Sequence, residues 1–268
     1  MSVKVVAEIG WNFMGNMNLA QKMIEKAASN GAEFAKFQTW SVKRLKPGPW
    51  DTDGRREIYE RAELTEEMHR LLIGWCAENS IQFMSSVFSM EDAYMLRMVG
   101  CKNVKIPSFE SRNHELIAYC AEHFDLVVMS TGTSTIAEVN QAVKFLRAAK
   151  EWYLLHCVSV YPCDYSMANL GKMGKLFEFT ENVGYSDHIE GVESAKIAIA
   201  MGATMIEKHF TTNRDLPGRD NKFAILPDEL NDLTTFIQRM DLMHIGDVDS
   251  YNPKEKESRE IYSGRFNG

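Results

Sequence analysis

Short apolar runs of strand length recur along the whole chain, at residues 4–9, 35–38, 82–87, 103–106, 126–130, 152–157, 183–187 and 205–210. Between them, apolar residues return every three to four positions, which predicts helices over 19–29, 65–79, 90–99, 114–123, 134–149, 192–201 and 227–243. The sixth connection, 168–178, is shorter and weaker in pattern. Strand and helix patterns in strict alternation predict a parallel sheet, because parallel strands need crossovers and helices supply them. Gly31, Gly100 and Gly202 each follow a helix pattern, where a left-handed terminal residue is cheapest as glycine. Thr65-Glu-Glu-Met and Ser134-Thr-Ile-Ala-Glu open helices with capping residues. An open doubly wound sheet is the rival architecture. Polar residues at the C-terminal end of nearly every strand instead suit a ring of loops around one mouth, and predict an α/β fold of the (β/α)8 TIM-barrel class.

The chain has 268 residues, the usual length of one such barrel. We expect the barrel over 1–245 and a separate tail over 246–268, rich in Lys, Glu, Asp and Ser, either strapped across the barrel or frayed. Net charge is −7 and no polybasic run is present, which argues against nucleic acid or an anionic membrane as partner. No apolar run approaches the roughly 18 residues of a membrane span, and the N-terminus lacks a signal-peptide pattern; a cytoplasmic protein is expected. Five cysteines without a CxxC pair predict reduced, mostly buried thiols.

Strand side chains alternate between two faces, so residues of equal parity share one. That rule sends Lys36 with Gln38, Ser186 with His188, and Glu207 with His209 toward the interior mouth, joined by Glu8, Ser86, Lys105, Ser108, Glu110 and the Ser130-Thr-Gly132 turn. Polar groups in such positions are costly unless paired or facing a ligand. His188 and His209 occupy corresponding places in the last two strands and form a candidate metal pair, better suited to Mn2+, Zn2+ or Fe2+ than to Ca2+. Lys36 and Lys105 either pair with Glu8 or Glu110, or bind a multiply charged anion such as phosphate or carboxylate; the second reading fits two lysines among several hydroxyls. His156 is read as a core residue; His69, His114, His123 and His244 lie on helix patterns and are read as structural.

The order and spacing of Ala7-Glu-Ile-Gly-Trp-Asn12, Lys36-Phe-Gln38, Lys105-Ile-Pro-Ser108 with Glu110, Ser130-Thr-Gly132, His156-Cys-Val-Ser-Val-Tyr-Pro162, Gly184-Tyr-Ser-Asp-His188, Glu207-Lys-His-Phe-Thr211 and Pro217-Gly-Arg-Asp220 resemble the N-acetylneuraminate (sialic acid) synthase family. The resemblance implies a barrel that condenses phosphoenolpyruvate with an acylamino-sugar aldose of the N-acetylmannosamine type. The products are a nine-carbon 3-deoxy-2-ulosonic acid and phosphate, formed with the help of a divalent metal, Mn2+ or Mg2+. It implies phosphoenolpyruvate contacts at Lys36, Ser86, Lys105, Ser108, Ser130, Ser159 and Ser186, and sugar contacts at Gln38, Glu110, Tyr161 and Asp220. His188 and His209 become metal ligands, and Glu8 or Glu207 the acceptor of the water's proton, beside Lys36 and Lys105. A homodimer is expected.

Two departures from the family pattern matter. Asn12 is followed by Phe13 where the family carries histidine, so a polar contact near the first strand's loop is expected to be lost. The family commonly carries a C-terminal antifreeze-like domain, which is expected to be missing from this protein. The tail is then expected to be the remnant of its linker, and the segment 40–55, holding Lys43, Arg44, Lys46 and Trp50, to serve as a lid. Two other functions stay open: a synthase for a phosphorylated aldose, with Arg44 and Lys46 on the sugar phosphate, and a non-catalytic barrel that binds phosphoenolpyruvate or sugar.

Overall fold

The computed structural model describes residues 3–243, 245 and 248–266. Eight parallel strands form a closed barrel in chain order: β1 (Lys4–Gly10), β2 (Phe34–Thr39), β3 (Gln82–Val87), β4 (Asn103–Ile106), β5 (Leu126–Ser130), β6 (Glu151–Cys157), β7 (Val183–Asp187) and β8 (Met205–His209). The circle closes where β8 pairs with β1, with His209 opposite Glu8. The helices are α1 (Met17–Ser29), α2 (Arg55–Ala62), α3 (Glu66–Glu78), α4 (Met90–Met98), α5 (His114–His123), α6 (Ile136–Leu146), α7 (Lys172–Leu176), α8 (Glu193–Ala200), α9 (Pro227–Met243) and α10 (Lys256–Tyr262). This is the expected TIM barrel.

Parity divides the molecule into two cores. Outward-facing Val5, Ala7, Ile9, Phe37, Phe83, Val104, Ile106 and Met129 pack beneath the helices, whose buried positions follow helical spacing, as in Val139, Ala142, Val143 and Leu146 of α6. Inward-facing Val6, Phe34, Met84, Leu126, Val128, Tyr153, Leu155 and Met205 form an apolar plug toward the N-terminal end. Moving two residues along from several of them reaches Glu8, Lys36, Ser86, Ser130 and Glu207, all buried. A dry floor thus lies beneath a polar layer, and this positions the site.

Local signals act as the sequence suggests. Thr65 caps α3 by accepting from Met68 N, and Thr135 forms a capping box with Glu138 at α6. The predicted start of α6 at 134 moves to Ile136 because Thr135, rather than Ser134, is the cap. Gly31, Gly100 and Gly202 have φ of +86°, +87° and +101°, in the left-handed region.

Three features add to the sequence reading. The Phe13 ring is fully buried in the outer core, 5.7 Å edge-on from Phe37, where it packs the outer face of β2. Within the segment expected as a lid, two short turns, Val42–Arg44 and Pro49–Asp51, lead into α2. Arg44 is tied to Asp92 at the start of α4. In the tail, α10 forms, and all described residues from 248 to 266 are exposed. His244, and Gly246 where the tail is expected to start, lie outside the described residues. Among the described residues no helix is long and apolar enough to cross a membrane.

Candidate active site

The C-terminal mouth of the barrel holds a chain of buried ion pairs. Lys36 Nζ lies 2.6 Å from Glu8 Oε2, donates to Ser86 Oγ at 2.9 Å, and sits 3.8 Å from Glu207 Oε2. Across the barrel, Lys105 Nζ donates to both oxygens of Glu207 at 2.8 Å, and Ser186 Oγ donates to Glu207 Oε1 at 2.9 Å. Gln38 Nε2 donates to Glu8 Oε1 at 2.5 Å. Two ammonium groups and two carboxylates therefore share a layer with no net charge. Register explains the layer: Glu8 pairs with Lys36, Ser86 with Lys105, and Ser186 with Glu207 on neighbouring strands.

Electrostatics separate the four groups. Burial alone would raise the Glu207 carboxyl, but Lys105 and Lys36 outweigh it and hold it far below the usual carboxylate range. Burial pushes Glu8 up against the opposing pull of Lys36. Burial opposes the charge on Lys36, yet Glu207 and Glu8 more than compensate and keep it a firm cation. Burial lowers Lys105, only partly countered by Glu207.

The two histidines meet beside this layer, their ring centroids 5.4 Å apart. His188 Nδ1 donates to the Val158 carbonyl at 2.8 Å, which leaves Nε2 as the lone-pair nitrogen of the neutral ring. His209 Nδ1 is buried without a hydrogen bond; Asp220 Oδ2 stands 3.5 Å away. Burial, with His188 and Lys36 nearby, holds His209 well below its usual range and therefore neutral. Burial and Glu8 push Asp220 up to about 7. The Tyr161 ring lies 4.1 Å from that of His188, and Phe223 lies 5.1 Å from His209. Burial opposes charge on His188, but Cys157 outweighs it and raises that ring's pKa, so a cation would have to displace its proton. With that, two imidazoles, one anchored through a backbone carbonyl and one with an orphaned nitrogen, fit a divalent cation that takes its other ligands from water or substrate. Among the described residues no cluster of three or more His, Cys, Asp or Glu side chains is arranged to hold an ion.

A third group converges on Gly132. Its N–H donates to Ser108 Oγ at 3.1 Å, and a Cβ at this position would lie 2.5 Å from Ser159 Oγ and 2.7 Å from Ser108 Oγ. Glycine is what lets the loops after β4, β5 and β6 meet. Ser130 Oγ is buried with no partner. Cys157 links this group to the histidines, its Sγ 3.8 Å from Ser159 Oγ and 3.9 Å from His188 Nδ1. Burial would raise the thiol, but His188 outweighs it and brings it to about 7.

Of the residues singled out from sequence, Glu8, Lys36, Gln38, Ser86, Lys105, Ser186 and Glu207 form one network. Ser108 and Ser159 meet at Gly132, and Tyr161, His188, His209 and Asp220 adjoin one another. Glu110 stands apart on the rim and accepts from Asn113 Nδ2 at 3.1 Å rather than pairing with either lysine. His156 Nε2 bonds the Ala168 carbonyl at 2.7 Å and its ring stacks on Tyr185, a core role as read. Cys157 was legible by parity, since 153, 155 and 157 face inward together, yet the sequence reading leaves it as an ordinary buried thiol. Asn221 gave no such signal: its contacts to Thr211 Oγ1, Asn12 O and Pro217 O pin the loop that presents Asp220.

Comparisons with known proteins identify relatives of the whole barrel. The chain is 34% identical over 252 residues to the N,N'-diacetyllegionaminic acid synthase of Campylobacter jejuni, covering 88% of this chain and 75% of that protein. It is 31% identical to the N-acetylneuraminate-9-phosphate synthase of Drosophila melanogaster, covering 91% and 69%. The crystal structure of N-acetylneuraminic acid (sialic acid) synthetase from Leptospira borgpetersenii in complex with citrate superposes with a TM-score of 0.87 at 31% identity, over 97% of this chain and 91% of that one. A family profile also matches residues 23–248, so this chain is an enzyme that belongs to the NeuB family.

Proposed function

We propose that the protein condenses phosphoenolpyruvate with an acylamino aldose to give a nine-carbon 3-deoxy-2-ulosonic acid and phosphate. The observation that carries this reading is the buried Glu8–Lys36–Glu207–Lys105 layer lying against the His188–His209 pair, in a chain similar to sialic- and legionaminic-type acid synthases. Lys36 and Lys105, with Ser86, Ser108, Ser130, Ser159 and Ser186, hold the carboxylate and phosphate, because compact cations and hydroxyl donors match a multiply charged anion. Gln38, Tyr161 and Asp220 line the sugar's side.

His188 and His209 would hold a divalent cation such as Mn2+, which when bound supplies Lewis-acid polarisation of the aldehyde oxygen. C3 of the enol ester attacks the aldehyde carbon, whose C=O pair moves to oxygen and takes up one proton, while water adds to the cationic C2 and gives one up. Glu8 accepts the proton of that water: burial raises its basicity, whereas Glu207 is committed to Lys105 and Ser186. The C2–O bond to phosphate then breaks in the tetrahedral intermediate, and Lys36 and Lys105 retain the departing anion.

Phosphate release from phosphoenolpyruvate across mono-acylamino, di-acylamino and 6-phosphorylated aldoses, with and without Mn2+, tests the proposal. Turnover of an unphosphorylated acylamino aldose is expected. No release with any member of the panel would reject the reading. Turnover of phosphorylated aldoses alone would favour the alternative substrate; Arg44, engaged with Asp92, does not favour it.

A further inference from the structure

Lys172, the first residue of α7, lies outside the family motifs, yet its side chain reaches back to the loop after β5. Its Nζ donates to the carbonyl of Ser134 at 2.8 Å and to that of Thr131 at 3.2 Å. Between those two carbonyls Thr133 is held at φ +58°, a left-handed conformation that a β-branched residue adopts only when its surroundings impose it. Burial lowers the pKa of the Lys172 ammonium, and the Cys157 thiol works against that shift. A partly buried lysine bonded to two loop carbonyls is therefore placed to brace a strained loop, at some cost to its own solvation.

The braced loop is the one that carries Ser130, whose buried hydroxyl has no partner, and Gly132, on which Ser108 and Ser159 converge. Resting on the proposed phosphoenolpyruvate reading, we propose that Lys172 is a positioning residue for the phosphate. By tying down the carbonyls on either side of Thr133, it fixes Ser130 and Gly132 against the anion and adds positive charge behind them. The phosphate-bearing substrate should depend on it, while a ligand with the carboxylate alone should not.

Titration calorimetry of Mn2+-supplemented wild type, Lys172→Met and Lys172→Arg with phosphoenolpyruvate, pyruvate and inorganic phosphate makes the test. Lys172→Met should bind phosphoenolpyruvate and phosphate about ten-fold more weakly, the size of one charge-assisted hydrogen bond. Pyruvate affinity should be unchanged, and Lys172→Arg should recover most of the loss. Should the methionine variant fail to fold, Lys172→Gln, which keeps a donor but no charge, serves the same comparison. Equal phosphoenolpyruvate affinity in wild type and variant, or an equal loss for pyruvate, would overturn the inference. Wild type that binds no phosphoenolpyruvate would instead sink the functional reading on which it rests, a distinguishable result.

Discussion

Replacing Glu207 by Gln perturbs the barrel's interior more than any other single polar change we consider. Its carboxylate accepts from Lys105 at 2.8 Å on both oxygens and from Ser186 at 2.9 Å, with Lys36 at 3.8 Å, and its side chain is only 8% exposed. The amide keeps the shape but leaves two buried ammonium groups facing the single carboxylate of Glu8. Breaking a buried pair in this way costs about 3–5 kcal/mol. That is a large share of the roughly 5–15 kcal/mol that keeps a domain folded. For a chain of this size it corresponds to a melting temperature lower by about 6–10 °C. Removing the partner as well, in Glu207→Gln/Lys105→Met, restores neutrality, so the double variant should be more stable than the sum of the single effects by about 2 kcal/mol. Urea denaturation of wild type, both single variants and the double variant, followed by circular dichroism, measures this cycle. An exposed control, Glu178→Gln in the Lys175–Glu178 pair, should leave the midpoint unchanged. Strict additivity, or a Glu207→Gln variant as stable as wild type, would refute the electrostatic account of the layer.

Three further outcomes follow from named contacts. His209→Ala should lose bound Mn2+ as measured by elemental analysis while keeping its circular dichroism spectrum; retained metal would show that the histidine pair is not the site. Gly132→Ala should weaken phosphoenolpyruvate binding by at least about ten-fold, since a Cβ would lie 2.5 Å from Ser159 Oγ and 3.2 Å from the Cys157 carbonyl, and an overpacked site costs about 1–3 kcal/mol. His69 is buried on Thr39 Oγ1 and the Thr65 carbonyl, and burial lowers its pKa. The unfolded chain therefore takes up a proton at about pH 6.5 that the folded chain refuses, so its share of stability is intact above that pH and lost as pH falls below it. His69→Gln should flatten the drop in urea midpoint between pH 7.5 and 5.5; an unaltered slope would contradict this.

Local chemistry made the barrel's parts legible. The runs at 82–87, 103–106, 126–130 and 183–187 coincide with β3, β4, β5 and β7, because alternation and flanking turn residues act over a few positions. Helix α2 was missed for the same reason: its buried face consists of Ile58 and Ala62 alone, too little for a visible apolar stripe. The candidate residues Lys36, Glu8, Glu207 and His209 were legible through parity and through the order of their motifs.

Their partners were not. Local pattern was enough to specify the strands, their inward faces and the chemistry each carries to the rim. Only the closed barrel decided that Lys105 meets Glu207 rather than Glu110, that Cys157 lies by His188, and that Lys172 reaches back to Thr131. Alternation fixes the direction of a side chain within its own strand. Which side chain stands across the ring depends on closure, tilt and register, and these bring residues as far apart as 105 and 207 within 2.8 Å without any local signal to announce it.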